Sequence, residues 1–101
     1  MMELLELSKE IKKEFGDKID KIILFGSYAR GDNDKDSDID LLLIVNDISI
    51  EYKLRRFIYS FIPLLGRLIS VKVIDSKDYK RMKEMNISFI QSVEKEGVVI
   101  G

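Results

Sequence analysis

The chain has 101 residues, 46% of them hydrophobic, which is enough to bury one core and too little for two, so residues 1–101 are read as a single domain. Lys+Arg 17 against Asp+Glu 18 gives a net charge of -1 and a pI of about 5.5; no overall basic field draws nucleic acid, and strong DNA binding is not expected. With no cysteine and no histidine, disulfides, Cys/His zinc sites, Ser-His-Asp triads and a histidine base are all excluded.

Met1-Met2-Glu3 opens onto Leu4, Leu7, Ile11 and Phe15 at helical spacing, with Gly16 placed to end the helix. No signal peptide or membrane-length apolar run is evident, which predicts a cytoplasmic protein without membrane association. A first strand is expected over about Lys21–Phe25, then a small-residue turn and an acidic loop. A second strand is expected over about Ile39–Val45, and its apolar run from Leu41 to Val45 suits a central position buried on both faces. Ile50, Leu54, Phe57, Ile58 and Phe61 mark a long helix, capped by Asp47 or Ser49 and disrupted near Pro63 and Gly66. Lys53, Arg55 and Arg56 read as its wet face. A third strand over about Leu68–Ile74 follows, then a helical stretch after Ser76 and a last helix begun by Asn86 and ended by Gly97. This order predicts an α/β (α+β) sheet layered with helices.

The chemistry concentrates between the first two strands, where residues 26 to 40 read Gly-Ser-Tyr-Ala-Arg-Gly-Asp-Asn-Asp-Lys-Asp-Ser-Asp-Ile-Asp. On a strand, Asp38 and Asp40 project to the same side, roughly 7 Å apart, while Ile39 points into the core. Two like charges there repel, and a divalent cation relieves the conflict. Magnesium takes one or two carboxylates and fills its shell with water and substrate phosphates, so the pair implies a phosphate-bearing substrate. Gly26 lets backbone approach closely and Ser27 offers a hydroxyl, while free N–H groups of a helix starting there would face an anion. Arg30 adds a charged fork for phosphate oxygens, and Gly31 stops the helix after little more than a turn.

Plainer readings compete with these. Asp32, Asp34 and Asp36 mimic a calcium loop, yet Ser37 stands where glycine is needed and Leu43 where glutamate is needed, so they are read as a solvated loop. Ser27 also serves as a helix N-cap, Arg30 as a surface charge, and Tyr28 and Ala29 as packing residues.

Gly26-Ser27-Tyr28-Ala29-Arg30-Gly31 followed by Ser37-Asp38-Ile39-Asp40-Leu41 resembles the signature of the polymerase β-like nucleotidyltransferase superfamily, and the small chain resembles its minimal (MNT) members. Ser76-Lys77-Asp78-Tyr79 and the segment from Ser92 to Val99 resemble the family's C-terminal half. The resemblance implies a nucleotidyltransferase-like mixed sheet and transfer of a nucleoside monophosphate, AMP from Mg-ATP, to a hydroxyl. It assigns Asp38 and Asp40 to catalysis and to one or two magnesium ions, and Gly26, Ser27 and Arg30 to the nucleotide phosphates. It also implies a HEPN-domain partner, with this chain as antitoxin and the acceptor hydroxyl on the partner; ATP or another nucleoside triphosphate is the donor, and the oligomeric state stays open.

One departure stands out. Active members of the family resemble one another in a third carboxylate on a neighbouring strand, but the polar face of the third strand here carries Ser70 and Lys72. Either one metal suffices, Asp75 reaches in from the strand end, or the chain binds nucleotide without efficient turnover. A rival reading therefore stays open: a non-catalytic nucleotide-binding antitoxin or interaction module.

Overall fold

The computed structural model describes residues 2–101 and arranges them as a four-stranded sheet with helices on both faces. In chain order the elements are α1 (Leu4–Phe15), β1 (Ile19–Phe25), α2 (Ser27–Arg30), β2 (Ile39–Val45), α3 (Glu51–Tyr59), α4 (Ile62–Leu65), β3 (Ile69–Asp75), α5 (Ser76–Glu84), α6 (Ser88–Glu96) and β4 (Val98–Val99). The strands lie in the order β3-β2-β1-β4. β1 is antiparallel to both neighbours and β2 is parallel to β3, so the sheet is mixed, as the resemblance implies.

β2 sits in the interior of the sheet because almost every residue in it is apolar. Ile39, Leu41, Leu43 and Val45 pack with Leu7 and Ile11 of α1 and Leu54 and Ile58 of α3. Leu42 and Ile44 point the other way, against Tyr79 of α5 and Ile90 and Val93 of α6. Leu41, Leu42 and Leu43 are each 0% exposed, and burying each stabilises the fold by about 1.5–3 kcal/mol. Asp38 and Asp40 thus hang from the start of a firmly anchored strand, with Asp40 on the α5/α6 side by alternation.

Several elements depart from their expected bounds. The expected long helix is divided: Asp47 accepts from the Ser49 backbone N–H and caps a single 3-10 turn, Ile48–Ile50, ahead of α3. The helix then breaks after Tyr59, where the Pro63 ring would clash with the carbonyl four residues back, and Pro63 falls in the first turn of α4, where a missing N–H costs little. Asn86 is not a helix start. It takes φ 55, a left-handed joint that asparagine tolerates, and α6 begins two residues later. β4, which pairs Val99 with Ile23 and Val98 with Leu24, has only two residues and so leaves no alternation to detect in the sequence.

Candidate active site

The antiparallel register of β1 and β2 brings the motif's two halves together. Phe25, the last residue of β1, lies opposite Asp40, so the turn at Gly26 starts beside that carboxylate. Gly26 has φ 72 and ψ -154, a region open essentially to glycine alone. A Cβ built there would overlap Asp40 Oδ2. The missing side chain is therefore what lets backbone and carboxylate share the space.

Asp40 is half-buried and Asp38, just before β2, is exposed. Burial first, and the Asp38 charge second, push the Asp40 carboxyl above its ordinary pKa, while Lys72 and Arg30 pull the other way. The pair is thus short of positive charge. Two hard-oxygen donors flanked by a close-approaching backbone fit magnesium, which needs no larger protein shell. Among the described residues there is no group of three or more Asp, Glu, His or Cys able to hold a metal.

Gly26, not Ser27, is the N-cap of α2: the Ala29 and Arg30 amides donate to the Gly26 carbonyl, each at 3.1 Å. Ser27 is the first helical residue, and its carbonyl accepts from Gly31 at 2.9 Å and Asp32 at 3.1 Å. With four residues in α2, an anion would be met by single N–H groups of the first turn and not by a developed macrodipole. Arg30 is exposed; its Nε donates to Asp32 Oδ2 at 3.2 Å and its Nη1 lies 3.7 Å from Glu96 Oε2. Such surface pairs are worth little and exchange readily for a phosphate. Asp32 thus restrains Arg30 in addition to solvating the loop. Asp34 organises the loop itself, accepting from the Asp36 amide at 2.8 Å and from Ser37 Oγ at 3.3 Å.

The third strand does not complete a carboxylate triad. In the parallel register Ser70 lies opposite Asp40, Lys72 opposite Leu42, and Asp75 opposite Val45. Asp75 is therefore at the far end of the sheet, about 16 Å along the strand from Ser70 at ~3.3 Å per residue, and cannot serve as the third acid. Its carboxylate instead accepts from the Lys77 amide at 2.9 Å and caps α5.

A cavity of about 260 Å³ opens next to the turn, bounded by Phe25, Gly26, Arg30, Phe89, Ser92 and Glu96 among others. Phe25 and Phe89 meet edge to face with centroids 5.4 Å apart. A larger hollow of about 470 Å³, around Lys83, Ile90 and Glu94, touches none of the motif residues, so size alone does not mark the site. Phe89, which with Met82 and Met85 reads from sequence as a core or partner-surface residue, and Glu96 both lie at the smaller cavity. Their spacing of two helical turns gives them a common face, but only the docking of α6 shows that the face meets the end of β1.

Residues 4–99 match the family model described as a nucleotidyltransferase domain. A protein of Methanocaldococcus jannaschii (strain ATCC 43067 / DSM 2661 / JAL-1 / JCM 10045 / NBRC 100440), MJ0141, named for a proposed protein adenylyltransferase activity, is 38% identical over 98% of this chain and 100% of its own length. A toxin-antitoxin crystal structure with AMP-PNP contains a chain of similar fold, TM-score 0.63 at 20% identity, covering 98% of this chain and 73% of that one. A mutant of the toxin-antitoxin pair MntA-HpeT gives TM-score 0.61 at 18% identity, covering 96% of this chain and 72% of that one. With the family model spanning nearly the whole chain and the carboxylate pair standing beside the glycine turn, the protein belongs to the nucleotidyltransferase domain family.

Proposed function

We propose that this protein transfers AMP from Mg-ATP to a hydroxyl on a partner protein, with the HEPN-domain toxin of a toxin-antitoxin pair as that partner and the cytoplasm as the setting. The observation that supports the reading is the meeting of the Gly26 backbone with Asp40, a carboxyl that also feels the charge of Asp38. The protein adenylyltransferase name of a 38% identical relative supports the reaction class, and the toxin-antitoxin context of the similar folds supports the partner.

In the reaction the acceptor oxygen bonds to the α-phosphorus, the bond from that phosphorus to the bridging oxygen breaks, and pyrophosphate leaves with the electron pair. The hydroxyl proton passes to water. Asp38 and Asp40 would hold magnesium, which when bound neutralises phosphate charge. The amides of the Gly26–Ser27 turn and the Ser27 hydroxyl orient the phosphates, and Arg30 exchanges its carboxylate partners for the departing pyrophosphate. Catalysis of this kind is positioning and electrostatics, with no covalent enzyme intermediate.

The test is co-production with the product of the neighbouring gene, followed by intact-mass measurement of that product. A nucleotide-sized mass gain that vanishes in Asp38→Asn and Asp40→Asn is expected. The second reading, an antitoxin that binds nucleotide without transfer, is favoured by Ser70 standing opposite Asp40 where a third acid is expected. Neutralisation of the partner without any mass gain would select it.

A further inference from the structure

We propose that the site operates with one divalent cation, and that Lys72, together with Arg30, supplies the positive charge that a second ion would otherwise bring to the triphosphate. The inference rests on the reading of this site as a nucleotide site. The parallel register sets a hydroxyl, Ser70, beside Asp40 and leaves Asp75 at the opposite end of β3. Two carboxylates are a sufficient protein share for one magnesium; β3 sets no third acid beside them, and Glu96, the other acid at the cavity, is paired with Arg30. Lys72 follows Ser70 by two residues, so both project from the same face of the sheet as Asp40.

Lys72 is exposed, and its ammonium rests over the Phe89 ring at 5.5 Å from the centroid. Phe89 in turn packs edge-on against Phe25, the residue opposite Asp40. Among the described residues no carboxylate lies within ion-pair distance of Lys72, although its field is felt at Asp40. The cation is thus held near the carboxylates by an aromatic face and left uncommitted. Its four-carbon stem lets the ammonium swing to a phosphate as a point charge, and the same charge repels a second dication.

The test uses Mn2+ with α,β-methylene ATP, which cannot release pyrophosphate. Native mass spectrometry of the protein–analogue complex counts the manganese ions bound per protein, and one is expected for the wild type. Lys72→Met should weaken analogue binding about tenfold or more, the loss of one charge-assisted contact, with the count still at one and unliganded melting unchanged. Lys72→Arg should stay within a few fold of wild type. Adding Ser70→Asp to Lys72→Met should raise the count towards two. A wild-type count of two, or Lys72→Met binding as tightly as wild type, overturns the proposal while leaving nucleotide transfer standing. Wild-type protein that binds no analogue overturns the nucleotide-site reading itself.

Discussion

Gly26 and Asp40 occupy space that neither could hold if the other were larger: the carboxylate Oδ2 lies where a Gly26 Cβ would stand. Gly26→Ala therefore meets two obstacles at once. The backbone conformation at φ 72 and ψ -154 costs a non-glycine residue about 1–3 kcal/mol, and relief of the overlap moves Asp40 or the turn. The expected outcome is a lower melting temperature together with loss of the Mg-ATP thermal shift. Retention of the full shift in a destabilised Gly26→Ala protein would show that the turn does not touch the nucleotide.

Asp40→Asn should separate function from folding. In the unliganded protein Asp40 is unfavourably charged, by burial first and Asp38 second, so removing its charge should leave the melting temperature unchanged or raised. Nucleotide transfer should fall by about a hundredfold or more, because several kcal/mol of transition-state stabilisation pass through a metal ligand and each ~1.4 kcal/mol is a factor of ten. Thermal unfolding and transfer measured side by side decide the matter. A variant that melts lower and transfers normally would make Asp40 a structural residue.

The parts of this fold that were legible in the sequence are those fixed by long apolar runs and strong punctuation. β2 was bounded correctly because seven residues from Ile39 to Val45 are enclosed by polar neighbours, and α1 because its apolar positions repeat until Gly16. The candidate site was legible as two polar clusters at the ends of adjoining strands, and the antiparallel β1–β2 register sets Gly26 beside Asp40. Register was not legible. Whether Ser70, Lys72 or Asp75 faces Asp40 depends on how β3 aligns with β2, and parallel strands joined through helices carry no local turn that states their alignment. The places of Phe89 and Glu96 at the cavity were hidden for a different reason, because they reach it through the docking of α6 and not through sequence proximity.

Asp75 provides a control at the far end of the sheet. Its side chain accepts from the Lys77 amide as the N-cap of α5, and replacing such a cap with alanine costs about 1 kcal/mol. Asp75→Ala should lower the melting temperature modestly while leaving metal and nucleotide binding intact. Loss of Mg-ATP binding in this variant, measured by calorimetry, would contradict the β2–β3 register.

Tyr79 of α5 donates from Oη to Glu94 Oε1 of α6 at 2.7 Å, tying together the two helices that cover one face of the sheet. Burial, reinforced by this bond, pushes the Tyr79 phenol above its ordinary value of 10.0. The same bond, with help from Lys83, holds the Glu94 carboxyl below its ordinary 4.5. The two groups act on opposite arms of the stability profile. Glu94 contributes stability that is fully present above its unfolded value and lost as pH falls through the lowered folded one. Tyr79 keeps its proton in the folded state after the unfolded chain begins to ionise, so its contribution is present below about pH 10 and declines as pH rises further. Tyr79→Phe should cost about 1 kcal/mol at pH 7, the net worth of a hydrogen bond to a partly exposed carboxylate. It should also flatten the decline above about pH 10 and weaken the acid-side loss at Glu94. Melting curves of both proteins from pH 3 to 11 provide the measurement. An alkaline limb equally steep in Tyr79→Phe would mean that other groups govern it and that the bond between α5 and α6 adds no pH dependence.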